Sequence, residues 1–332
     1  YIYSMNTRFK KISSFLLLNA VGLSAIAWLL VTKDPMVQEG TIYRDSGGVF
    51  VFTSPILDYE YSKQGGNKVI PYKKVHERVD QLKNEYGVID ASVYYRDLGN
   101  GQWLGVNEKN FFSPASLMKT PLLIAFLKNA EQNPSLLEKK TIASKKYFGS
   151  NVEQDILSKD FLVEGETYTL KNIAEKMIQS SDNTAALIIY EQTKNVAVEK
   201  VFESVGVVFD KEQGDAIIRV KDFAAFFRVL YNASYLGRDM SELALSLLSQ
   251  TDFTQGLVSG VPKDVVVAHK FGERILENPY GEPVAGRQLH DCGIVYTKNP
   301  YILCIMTKGE DFQKQAKFIA DVSKFFYENT AK

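Results

Sequence analysis

The chain has 332 residues, 39 basic against 39 acidic side chains, and an apolar share of 45%. Balanced charge with no basic stripe excludes a nucleic-acid partner, and the apolar content excludes a disordered chain. The cysteines and histidines show no spacing that suggests zinc, and Gly99-Asn100-Gly101 reads as a turn and not a phosphate cradle, so no metal and no cofactor is expected.

Arg8, Lys10 and Lys11 precede residues 12–32, which carry no charge before Lys33. About 20 apolar-rich residues suffice to cross a bilayer core as one helix. The preceding positive charges place residues 1–11 in the cytoplasm and everything after Lys33 outside it. Ala25-Ile26-Ala27 has the form of a signal-peptide cleavage site, but Trp28 to Val31 prolong the apolar run, so a retained membrane anchor is expected. Residues 33–70, with Gly47-Gly48, Gly65-Gly66 and prolines, read as a stalk with one short strand at Val49 to Phe52.

The domain, residues 71–332, opens with a helix over Val75 to Tyr86, where Val75, Val79, Leu82 and Tyr86 recur at helical spacing. Two strands follow, Ala91 to Tyr95 and Gln102 to Val106, joined through the turn signal Asn100-Gly101. Helices are expected from about Ser116 to Asn129, from Leu170 to Gln179, and several more between Thr184 and Gln250. The chain closes with strands Val265 to Phe271, His290 to Tyr296 and Tyr301 to Thr307, then a helix from about Asp311 to Tyr327. This order predicts an α/β sandwich: a mostly antiparallel sheet built from both chain ends, with an all-helical lobe inserted between. Cys292 and Cys304 fall on the two arms of a hairpin. An exported location permits a disulfide, but a register one residue off sets the side chains on opposite faces, and two buried thiols are the expected state.

Three short segments carry the chemistry. Ser116-Leu117-Met118-Lys119 follows Pro114 at the start of a helix, where a serine gains the positive end of the helix dipole and free backbone N–H groups that stabilise an oxyanion. Lys119, three residues on, lies on the same helical face within reach of the serine hydroxyl, and burial lowers a lysine pKa toward that of a base. Taken alone, the pair reads as a serine cap and a solvated lysine. Ser181-Asp182-Asn183 follows one apolar helix and precedes another. Lys270-Phe271-Gly272 ends a strand in which Lys270 and His269 point to opposite faces.

The ordered trio resembles the penicillin-recognising serine enzymes, specifically the class A β-lactamase-like group. The resemblance covers residues from about 70 to the end. It implies Ser116 as nucleophile, Lys119 as base, Ser181 as proton relay to the leaving group and Lys270 as a source of positive potential. It further implies an oxyanion hole from the backbone N–H groups of Ser116 and Glu273, substrate contacts at Asn183 and Gly272, and a structural role for Asp182. The chain departs from the family pattern twice. Phe271 stands where the family has Thr or Ser, the hydroxyl that helps bind a substrate carboxylate. No Glu-x-x-Leu-Asn pattern, which carries the deacylating Glu, occurs between Asn183 and Lys270. The segment Phe209 to Asp215 reads as a shortened version of that loop, with Glu212 and Asp215 as the candidate substitutes for the missing Glu.

A Ser-His-Asp site fares worse: it needs a histidine near the nucleophile, only His76, His269 and His290 are present, and no Gly-x-Ser-x-Gly elbow occurs. The expectation is thus a membrane-anchored, extracytoplasmic serine hydrolase or acyltransferase that takes a β-lactam or a peptidoglycan stem peptide. The alternatives are a penicillin-binding D,D-peptidase, favoured by the missing Glu, and a catalytically weak wall-fragment-binding module, favoured by Phe271.

Overall fold

The computed structural model describes residues 40–44, 48–61, 70–148, 160–193, 196–207, 210–212, 215–277 and 283–330. The expected anchor at residues 12–32 lies outside the described residues; among those described, no helix is long and apolar enough to cross a membrane.

Strands β1 (Gly40–Arg44) and β2 (Ile56–Tyr61) pair antiparallel with each other. Residues 52–54, before β2, pack on the domain. Thr53 and Ser54 are buried, the Ser54 N–H donates to Tyr231 O at 2.8 Å, and Glu242 accepts from the Phe52 and Thr53 N–H groups at 2.7 and 2.8 Å. Arg44 lies over the Tyr231 ring and donates to Leu98 O and to Asn232 Oδ1. The short strand expected at Val49 to Phe52 is absent; Val49 and Val51 are exposed.

Helix α1 (Tyr72–Tyr86) buries Val75, Val79 and Leu82 and ends at Gly87, whose left-handed φ of 65° lets the chain turn and the Val88 N–H cap Lys83 O. Strands β3 (Asp90–Asp97) and β4 (Trp103–Val106) follow. Their turn is pinned by the Asp97 carboxylate, which accepts from the Gly99 and Asn100 N–H groups. After β5 (Phe111–Phe112) the chain enters the helical lobe. The lobe contains α2 (Lys119–Gln132), the pair β6 (Lys140–Ile142) and β7 (Thr167–Thr169), α3 (Leu170–Gln179), α4 (Asn183–Glu191) and α5 (Val198–Val205). The segment read as a shortened loop forms a hairpin, β8 (Asp210–Glu212) and β9 (Asp215–Arg219), whose second strand pairs with β5. The side chains of Glu212 and Asp215 lie outside the described residues. Helices α6 (Val220–Tyr231) and α7 (Arg238–Leu248) complete the lobe.

The chain then returns as β10 (Val266–Glu277), β11 (Pro283–Tyr296), β12 (Tyr301–Gly309) and α8 (Phe312–Thr330). The five-stranded sheet runs β10-β11-β12-β3-β4, every pair antiparallel, so both chain ends build it as expected. One core lies between the sheet and the helical lobe, and a second lies between the other sheet face, α1 and α8. The alternation of β10 sends Ala268 into the first core and Val267 and Phe271 into the second. The thiol expectation fails. The β11–β12 register sets Cys292 directly opposite Cys304, on the same face, and the two buried side chains are joined in a disulfide.

Candidate active site

Ala115–Met118 forms one 3-10 turn that leads straight into α2, so Ser116 precedes the α-helix by one turn and does not begin it. Lys119 is the first α-helical residue, and the three-residue spacing brings its Nζ to 2.9 Å from Ser116 Oγ. The same Nζ lies 3.1 Å from Ser181 Oγ, 2.6 Å from Ser181 O and 2.7 Å from Asn183 Oδ1. One buried ammonium thus gathers the first two motifs. Burial pushes the Lys119 pKa down to about 7, against the opposing pull of Asp182 and Glu273. Ser116 and Asn183 are half-buried while Lys119 and Ser181 are buried, so the cluster opens toward solvent at the Ser116 side.

Two backbone conformations at this centre are costly for residues with a Cβ. Ala115, just before the serine, has φ 49°, and Ser181 has φ 56°. Left-handed geometry outside glycine costs on the order of 1–3 kcal/mol and persists only where the surroundings hold it. Around Ser181 the holding group is Asp182. Its Oδ1 accepts from Ala185 N as the N-cap of α4, and its Oδ2 accepts from Leu162 N at 2.7 Å. Around Ser116 the turn is clamped by the sheet. The Ser113 N–H donates to Gln288 Oε1, Ser113 O accepts from His290 Nε2 at 2.9 Å, and Arg274 donates to Ser113 Oγ. A carbonyl only accepts, so His290 carries its proton on Nε2, and its Nδ1 accepts from the Thr307 N–H. Complete burial pushes the His290 pKa down to about 4. His290 is therefore a neutral clamp on the nucleophile turn. None of Gln288, His290 or Arg274 was legible in the sequence as a site residue, since each acts through a backbone or side-chain contact far away in the chain.

The third motif stands beside this cluster. Lys270 is fully buried, and burial together with the like charge of Lys119 drives its pKa far down. Its Nζ donates to Phe271 O at 3.1 Å and makes no hydrogen bond to Ser116 or Ser181. The Phe271 ring packs in the far core, 4.7 Å from Phe253. The room left at Gly272 goes to the nucleophile turn and not to a substrate: a Cβ there would meet Pro114 O at 2.8 Å and Leu117 N at 3.0 Å. Glu273 follows on β10, which among the described residues has a strand partner on one side only.

The geometry is a serine, a lysine of lowered pKa and a second serine in one hydrogen-bonded cluster, beside an open sheet edge. The profile of the Beta-lactamase2 family, described as the beta-lactamase enzyme family, matches residues 74–330. No curated protein matches the chain. Among solved structures, a β-lactamase from Chitinophaga pinensis superposes with a TM-score of 0.67 at 18% identity, covering 77% of this chain and 98% of its own. A class A β-lactamase from Bacteroides cellulosilyticus gives a TM-score of 0.65 at 18% identity, covering 79% and 99%. PBP-A gives 0.62 at 20% identity, covering 77% and 95%, and a variant of it has been solved as an acyl-enzyme complex with penicillin G. These likenesses establish the fold, and the profile spans well over half of the sequence; the chain belongs to the beta-lactamase enzyme family.

Proposed function

We propose that the protein is a serine acyl-enzyme hydrolase or acyltransferase in which Ser116 attacks the carbonyl of a β-lactam or a peptidoglycan stem peptide. A neutral Lys119 amine has two N–H groups and one lone pair. Its two shortest contacts, Ser181 O and Asn183 Oδ1, take the N–H groups and leave the lone pair for the Ser116 hydroxyl proton. Oγ bonds to the carbonyl carbon as its proton passes to Nζ. The proton then passes through Ser181 Oγ to the leaving nitrogen as the C–N bond breaks. In this reading the N–H groups of Ser116 and Glu273 hold the oxyanion and Asn183 contacts the substrate amide, while Lys270, held toward neutrality by its burial, is not the source of positive potential that the resemblance implies. The observation that carries the proposal is the reach of one lysine of pKa about 7 to both serine hydroxyls.

A penicillin-binding D,D-peptidase with slow β-lactam deacylation is the reading that the missing Glu-x-x-Leu-Asn pattern favours. Both readings place the enzyme outside the cytoplasm on an anchor at residues 12–32. One experiment addresses chemistry and location together. Membranes from cells making the full chain are washed with carbonate and treated with labelled penicillin G. A label on Ser116 that stays in the pellet and vanishes in Ser116→Ala is expected. An unlabelled protein defeats the acyl-enzyme proposal, and a labelled protein in the wash defeats the anchor.

A further inference from the structure

A second cleft lies at the opposite edge of the sheet from the serine. Its walls are β3, β4, α6 and the end of α5, and it encloses about 280 Å³. The Ser116 turn packs against β10, and strands β11 and β12 separate β10 from β3, so this cleft is not part of the acylation site.

Arg96, Arg228 and Lys221 line it, against a single carboxylate, Asp222, which already accepts from Arg219 Nε at 2.7 Å. Among the described residues, the guanidinium groups of Arg96 and Arg228 have no ion pair and no hydrogen-bond acceptor. Both are half-buried. Lys221 Nζ rests on the Trp103 ring, 3.9 Å from its centroid, and Trp103 stacks on Tyr94 at 5.8 Å. Clustering like charges in a partly desolvated recess is unfavourable without a counter-charge. Burial and the facing charge of Arg96 both push the Arg228 guanidinium down from its ordinary value.

We propose that this cleft binds a phosphorylated small molecule, with the phosphate between Arg96 and Arg228 and its carrier against Trp103. One guanidinium satisfies a carboxylate bidentately, whereas two forks and an ammonium match the three or more oxygens and higher charge of a phosphate monoester. A bare phosphate leaves most of 280 Å³ unfilled, and the Trp103–Tyr94 wall suits an apolar or ring-bearing carrier.

The test uses Trp103 as its own reporter. The chain has two tryptophans, so Trp28→Phe in the detergent-solubilised full chain leaves Trp103 alone. Inorganic phosphate, glucose phosphate and a short-chain phosphatidic acid are titrated at constant ionic strength against chloride. Saturable quenching is expected, tightest with the carrier-bearing ligands, and weakened about tenfold or more, or about 1.4 kcal/mol, in Arg96→Gln or Arg228→Gln. Tighter binding of glucose phosphate assigns a soluble ligand, and tighter binding of the phosphatidic acid assigns a lipid headgroup. Lys221→Gln, at an exposed position, repeats the test where folding is not at stake, and thermal unfolding without ligand checks the arginine variants. Quenching no stronger than chloride, unchanged in all three variants, or matched by citrate overturns the proposal.

Discussion

Lys119 and His290 are both buried cations held toward neutrality, and the same physics gives them opposite uses. The Lys119 pKa, lowered to about 7 by burial, makes the free amine available near neutral pH. The acylation rate should therefore rise with pH through about 7 and then level off, in stopped-flow measurements with a chromogenic cephalosporin. Lys119→Arg, which cannot lose its proton, should abolish it. A flat profile between pH 5 and 9 would remove Lys119 from the base role. His290 acts on stability. Its folded pKa of about 4 lies below the ordinary 6.5, so between those values the unfolded chain binds the extra proton. Its stabilising contribution is complete above pH 6.5 and is lost as pH falls toward 4, about 3 kcal/mol in all. Urea midpoints should drop across that window and drop less in His290→Phe. Ser116, Lys119 and Ser181 were legible because their chemistry sits in local spacing. His290 was not, because its partners, Ser113 O and Thr307 N, lie far off in the chain and meet it only when the sheet forms.

At the scale of elements, β10 is both the sheet edge and the support of the nucleophile turn. Gly272 has no side chain at the point where β10 meets residues 114–117, and an added Cβ would press on Pro114 O and Leu117 N, both backbone atoms with little room to shift. Gly272→Ala should therefore slow acylation of Ser116 about tenfold to a hundredfold while the far core, with Phe271, stays intact. Adduct formation timed by mass spectrometry checks this, with near-ultraviolet circular dichroism as the fold control. Unchanged acylation would mean that the turn does not depend on this contact. The first and last helices of the domain and Leu170–Gln179 were readable from apolar periodicity, the last of these to the residue, and so was the chain order of the five strands of the main sheet. Strand ends and register were not. β10 and β11 run well past the apolar stretches that mark them, and a one-residue choice of register decides whether Cys292 and Cys304 meet.

For the whole molecule, the arrangement separates forming the acyl-enzyme from releasing it. In the proposed mechanism acylation rests on Ser116, Lys119 and Ser181, which share one hydrogen-bonded cluster beside the starts of α2 and α4. Release requires a water with its own base, and the segment where the family resemblance places that base is here the hairpin β8–β9, short and tied to β5. The Glu-x-x-Leu-Asn pattern is missing, so a penicilloyl group on Ser116 should persist. Following the adduct mass after excess penicillin G is removed, a half-life of minutes to hours is expected, with Ser116→Ala forming none. Lifetimes below a second, lengthened in Glu212→Gln or Asp215→Asn, would show that the hairpin carries a working base and that the enzyme turns over as a β-lactamase. A long-lived adduct would instead match a D,D-peptidase, whose natural acyl group leaves to an amine or water that the lactam ring fragment blocks.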